Sequence, residues 1–140
     1  AICPYLSFNG NCREAMLFYQ KIFGGALVLQ TIGDTPFSKK MPAKMKKYIL
    51  HATLKNKAFV ITGSDITNEN GLKKGNTVSL MFTCRNKKEI IDYFKKLSRG
   101  GVQTYPPDIT FYGNWFGSLT DKYGHQWLLS CDGNRELQQK

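Results

Sequence analysis

The sequence predicts an α+β fold built from two βαβββ modules with mixed, largely antiparallel sheets. Three observations predict it. A helical pattern occurs twice at a spacing of 75 residues, each copy opens on Asn-x-x-Glu and closes on Gly-Gly, and strand-like runs surround both copies.

Taken in order, residues 3–9 read as a strand, and Asn11-x-x-Glu14 opens a helix with an apolar face of Ala15, Phe18, Tyr19, Ile22 and Phe23. That is the i, i+3, i+4 stripe of a helix lying on a sheet. Gly24-Gly25 ends it, and strands over 26–32, 47–55 and 58–63 complete the first module. The stretch from Gly63-Ser64-Asp65 to Gly75-Asn76 has no apolar period and reads as the connection. In the second copy a strand over 77–84 precedes Asn86-x-x-Glu89, the face Ile90, Tyr93, Phe94 and Leu97, and the stop Gly100-Gly101. Strands over 102–105, 111–119 and 125–131 follow. At both helix starts Asn is expected to accept a bond from an orphan backbone N–H, with Glu bonding back, and Gly is expected to supply the positive-φ stop.

One domain over 1–140 is expected, with module one at about 1–65, a linker at about 66–76, module two at about 77–131 and a polar tail at 132–140. A four-stranded sheet with one helix covers only one of its faces and leaves the other needing a partner. With 41% hydrophobic and 21% charged residues, the 140-residue chain has the composition of a folded protein. No apolar run reaches signal-peptide or membrane-spanning length, so a cytoplasmic address without membrane contact is expected. Cys3, Cys12, Cys84 and Cys131 lack CxxC or zinc-finger spacing and read as reduced, mostly buried thiols. The formal charge of +10 favours anionic partners, yet its short lysine groups form no nucleic-acid reading motif. A basic nucleic-acid-binding protein therefore ranks last among the functional readings, and no specific nucleic acid is expected.

The run Pro4-Tyr5-Leu6-Ser7-Phe8-Asn9-Gly10-Asn11, with Glu14-Ala15, Phe18-Tyr19 and Phe23-Gly24-Gly25, resembles the opening of PhnB-like proteins. His51-Ala52-Thr53-Leu54 and the closing run from Trp115 to Trp127 are similar to that family's central strand and final motif. The resemblance places the chain in the vicinal oxygen chelate superfamily of glyoxalase and bleomycin-resistance proteins. It implies modules that curl their sheets around a cavity, commonly in a homodimer. Catalytic members of the superfamily hold a divalent metal with His, Gln or Glu, but the matching positions here are Cys3 or Pro4, Val78 or Ser79, and Leu128. Pro, Val, Ser and Leu cannot supply that donor set, so neither a metal nor another cofactor is expected. The methyltransferase label attached to PhnB-like proteins gains no support, because no strand–Gly-rich turn–helix fingerprint is visible.

His51 is the candidate catalytic residue: alternation puts Ile49, His51 and Thr53 on one sheet face, where an imidazole serves as general base or ligand contact. His125, after a turn glycine, reads as structural. Tyr5, Tyr112 and Trp115 are the expected aromatic ligand contacts, joined by Gln126 and Leu128, while core packing takes Trp127 and Phe116. The leading reading is a small-organic-ligand binder without the standard metal. The enzymatic alternative is a metal-dependent lyase or isomerase with a nonstandard site using His51 with Cys3 or Glu69.

Overall fold

The computed structural model describes residues 1–66 and 71–132. Two compact units divide the chain between Lys73 and Lys74. Each is a βαβββ unit, as the repeat predicts.

In the first unit β1 (Tyr5–Ser7), α1 (Cys12–Phe23), β2 (Ala26–Thr31), β3 (Ile49–Lys55) and β4 (Val60–Ser64) form a sheet of order β1-β4-β3-β2. β1 runs parallel to β4 and the other pairs are antiparallel. Cys12, Ala15, Met16 and Tyr19 form the buried stripe of α1, and Leu6, Phe8, Ile49, Ala52, Leu54 and Ile61 are buried in the same core. A Cβ on Gly63 would meet Phe8 at 3.1 Å and Cys12 Sγ at 3.3 Å. That close approach identifies the Gly63 and Ile61 side of β4 as the side under α1, and Val60 and Thr62 as the opposite side.

The second unit repeats the arrangement with β5 (Leu80–Cys84), α3 (Lys87–Ser98), β6 (Val102–Ile109), β7 (Trp115–Thr120) and β8 (Gln126–Cys131), in the order β5-β8-β7-β6. β5 is parallel to β8. Ile90, Phe94, Leu97 and Ser98 of α3 are buried, and a Cβ on Gly117 would meet the Phe94 ring at 3.2 Å.

Two local expectations are corrected. Between β2 and β3 the chain forms 3-10 turns at Ile32–Asp34 and Pro36–Lys40 and a short helix, α2 (Ala43–Lys46), where no element was predicted. Gly63 and Ser64 belong to β4, and Asp65 is buried; none of the three is linker. Of the expected linker, residues 67–70, including Glu69, lie outside the described residues, as do residues 133–140 of the expected tail.

The two helix starts also differ. Asn86 accepts a bond from Glu89 N at 2.8 Å, as expected of an N-cap, but Asn11 makes no side-chain cap bond. The start of α1 is instead held by Asp65 Oδ1, which accepts from Gly10 N at 2.9 Å and Cys12 N at 3.0 Å, while Oδ2 accepts from Ile49 N at 2.8 Å. The glycine stops hold: Gly24 and Gly100 have φ of 74° and 78°.

Candidate functional site

The sheet side away from α1 exposes the candidate site of the first unit. Register aligns Tyr5 with Thr62, Thr62 with Thr53 and Thr53 with Val28, while His51 pairs with Gln30 and Lys55 with Val60. Paired residues of neighbouring strands project to one side, so Tyr5, Thr62, Thr53, His51 and Lys55 share this face.

Alternation in β3 is interrupted between Ile49 and His51. Thr31 pairs with Ile49 and Gln30 with His51, so β3 carries an extra residue at Leu50. This bulge turns Ile49 to the core, where it is fully buried, and leaves His51 and Thr53 on the open face. His51 is exposed, its Nε2 lies 3.2 Å from Thr53 Oγ1, and its ring centroid is 6.3 Å from that of Tyr5. Two of the expected ligand contacts, remote in sequence, thus meet on one face.

At the end of this face lies an open cleft of about 410 Å³ between the N-terminal segment and the β3–β4 turn. Ile2, Cys3, Pro4, Phe59 and Val60 form its walls, and Lys57 brings the one ionisable nitrogen. Asn56 shapes the turn: its Oδ1 accepts from Ala58 N at 2.8 Å and from Phe59 N at 2.9 Å.

In the second unit the side away from α3 carries Met81, Leu128, Ser118 and Tyr105 in one register row. Phe116 lies beside them, its ring centroid 6.2 Å from that of Tyr105. Gln126 is on the same face and accepts from Ser79 Oγ at 3.2 Å. Leu128 and Gln126 thus lie on the open face of the second unit. Trp115 and Phe116 exchange places relative to the sequence reading: Trp115 shares a face with Gly117, under α3, and Lys87 Nζ sits 4.6 Å from its ring centroid. Tyr112 lies in the turn between β6 and β7, 81% exposed and edge-on to Phe111.

Both buried carboxylates are engaged with the fold. Besides Asp65, Asp121 accepts from Tyr123 N at 2.9 Å, His125 N at 3.0 Å and Trp127 Nε1 at 2.9 Å. His125 thus has its backbone fixed in a structural turn. Burial pushes the thiols of Cys12 and Cys84 up to about 12, so neither is a thiolate near neutrality. Cys3 is exposed, which corrects its reading as a buried thiol.

Among the described residues no three His, Cys, Asp or Glu side chains group closely enough to hold a metal ion. In the first unit His51 has Tyr5 and Thr53 as neighbours, and in the second Leu128 is paired with Met81. Neither group of side chains by itself fits a divalent ion of the kind the resemblance implies.

Two four-stranded mixed sheets, each with a single helix on one side, define the glyoxalase/bleomycin-resistance fold. A family model described as 3-demethylubiquinone-9 3-methyltransferase matches residues 1–130. The chain belongs to that family, as a PhnB-like protein.

The solved structure of protein PA1353 from Pseudomonas aeruginosa is 34% identical, covering 94% of this chain and 96% of its own, with a TM-score of 0.82. The PhnB protein from Bacillus cereus is 30% identical over 93% and 98% of the two chains, with a TM-score of 0.73. Protein YjdN of Escherichia coli strain K12 is 29% identical over 92% of this chain and 93% of its own. A glyoxalase/bleomycin resistance protein/dioxygenase family enzyme from Burkholderia phytofirmans PsJN, at 17% identity over 94% and 99% of the chains and a TM-score of 0.59, shares the fold.

Proposed function

We propose that this chain binds a small organic molecule on the uncovered sheet face of its first unit, without a resident divalent metal. The observation that carries the reading is the meeting of Tyr5 and His51 on an exposed sheet face, with Thr53 bonded to the imidazole. An aromatic wall beside a few polar tips suits a flat or amphipathic ligand. The open face of the second unit, with Leu128, Phe116, Tyr105 and Gln126, is a second surface of similar character.

Methyl transfer from a nucleotide-like cofactor is not part of this reading. Such cofactors place anionic groups on free N–H groups where a strand turns into a helix. Here Asp65 already holds Gly10 N and Cys12 N at α1, and Asn86 holds Glu89 N at α3. The enzymatic alternative also lacks support at His51, whose one hydrogen bond among the described residues goes to Thr53 and not to an orienting carboxylate. A homodimer belongs to the proposal on the strength of family resemblance, and a cytoplasmic address is proposed with it. No helix among the described residues is long and apolar enough to cross a membrane.

The test combines elemental analysis of freshly purified, chelator-free protein with thermal-shift scans against Zn, Mn, Ni, chelator and a small-molecule library. The reading expects no stoichiometric metal, no metal-dependent shift, and hits that weaken about tenfold in His51→Ala at unchanged melting temperature. Stoichiometric metal, or hits indifferent to His51→Ala, would refute it. Sedimentation analysis decides the dimer.

A further inference from the structure

Among the described residues, the open face of the first unit carries no carboxylate. Its ionisable side chains are Tyr5, His51 and Lys55, together with Lys57 and Cys3 at the adjoining cleft. The described acids of this unit are Glu14, Asp34 and Asp65. Glu14 lies on α1, Asp34 Oδ2 accepts from Thr31 N at 3.0 Å, and Asp65 is buried with three backbone donors. Neither Lys55 nor Lys57 has an ion-pair partner among the described residues.

Lys55 is the register partner of Val60, and Val60 is a wall of the cleft that Lys57 borders. Lys57 thus lines the cleft together with Pro4, Phe59 and Val60, and Lys55 stands beside Val60 on the open face. At about 410 Å³ the cleft falls near the small end of the range of ligand pockets, about 300–1,000 Å³. The surrounding unit adds Arg13, Lys21 and the lysines from 39 to 47 to the same sign of field, which concentrates anions near it.

Resting on the binding reading above, we propose that the ligand of this face is a small organic acid: its carboxylate lies between Lys55 and Lys57, and its apolar body packs against Phe59, Val60 and Pro4. Exposed ion pairs are weak individually, so the lysines select the anion while the apolar contacts and the shape of the cleft supply most of the affinity.

The test is a fragment panel in which each carboxylic acid is accompanied by its amide and its primary amine, screened by ligand-observed NMR and mapped by backbone amide shifts. Acids are expected to bind in preference to their matched amides and amines, with shifts over Lys57–Val60 and at Thr62. Affinity is expected to fall about fivefold in Lys55→Gln/Lys57→Gln and when salt is raised from about 50 to 300 mM. It should stay unchanged in Lys88→Gln/Lys95→Gln, which removes the same charge from α3. Bound acid should also slow alkylation of Cys3.

Amides or amines binding this face as well as the acids would overturn the anion assignment and leave the binding face standing. Equal loss in both double variants, or shifts confined to other residues, would overturn the location. A panel without any member that shifts this face would overturn the proposal and the binding reading together.

Discussion

Asp65 shows what a single residue can contribute that its sequence neighbourhood conceals. Between Ser64 and Ile66, in a run that looks like linker, its carboxylate gathers N–H groups from Gly10, Cys12 and Ile49. Hydrogen bonds to a charged acceptor are each worth about 1.5–3 kcal/mol, and truncation leaves three donors to find other partners. Asp65→Ala should therefore cost about 3 kcal/mol or more in urea unfolding, and Asp65→Asn less, since the amide keeps one acceptor oxygen. Equal urea midpoints for wild type and alanine variant would remove the residue from this role. The buried thiols make a pH prediction. Cys12 and Cys84 stay protonated in the folded state up to about 12, whereas an unfolded thiol ionises from about 9. Above pH 9 the unfolded chain binds fewer protons than the folded one, so stability falls as pH rises through 9 towards 12. Cys12→Ser/Cys84→Ser should flatten that decline in unfolding curves taken from pH 8 to 11.

At the scale of elements, α1 and α3, their glycine stops and the eight strands among the described residues were legible, because periodicity and capping chemistry are local, whereas α2 was not. What escaped depends on register. One extra residue at Leu50 sends Ile49 to the opposite side, and sequence alternation alone cannot fix which of two adjacent aromatics, Trp115 or Phe116, faces the helix. Only the pairing of β7 with β8 settles it. The cap motif likewise looks the same in both copies, yet only Asn86 uses its side chain on a helical N–H. Asn86→Ala should accordingly lower stability by about 1 kcal/mol, while Asn11→Ala changes it by a few tenths at most. Equal losses in thermal unfolding would show that the two caps are alike after all.

For the whole molecule, the net charge of +10 arises from 20 lysines and arginines against 10 acids, and basic residues exceed acids in both units. The ion pairs shown among the described residues, Arg85–Glu89 and Lys96–Asp92, both lie in the second unit. Unbalanced like charge repels itself and opposes the compact state, and salt screens that repulsion over about 10 Å at 0.1 M. Raising sodium chloride from about 20 to 200 mM should therefore raise the melting temperature by a few degrees. A flat or falling response would mean that the lysines are compensated. The candidate site was legible in part for a related reason: Tyr5, His51, Gln126 and Leu128 could be chosen by chemistry and resemblance. Lys57 and its cleft depend on how the N-terminal segment lies against a hairpin turn, and nothing local in the sequence encodes that.

The two ways of fixing a helix start also set how long each helix waits for its clasp as the chain emerges during synthesis. The second helix carries its own clasp, Asn86, three positions from the N–H that it holds. The first must wait until the chain has grown past residue 65, more than fifty positions beyond Cys12 N. Two copies of one pattern thus divide the timing of assembly: the earlier-made helix is locked late, and the later-made helix is ready almost as soon as it is formed.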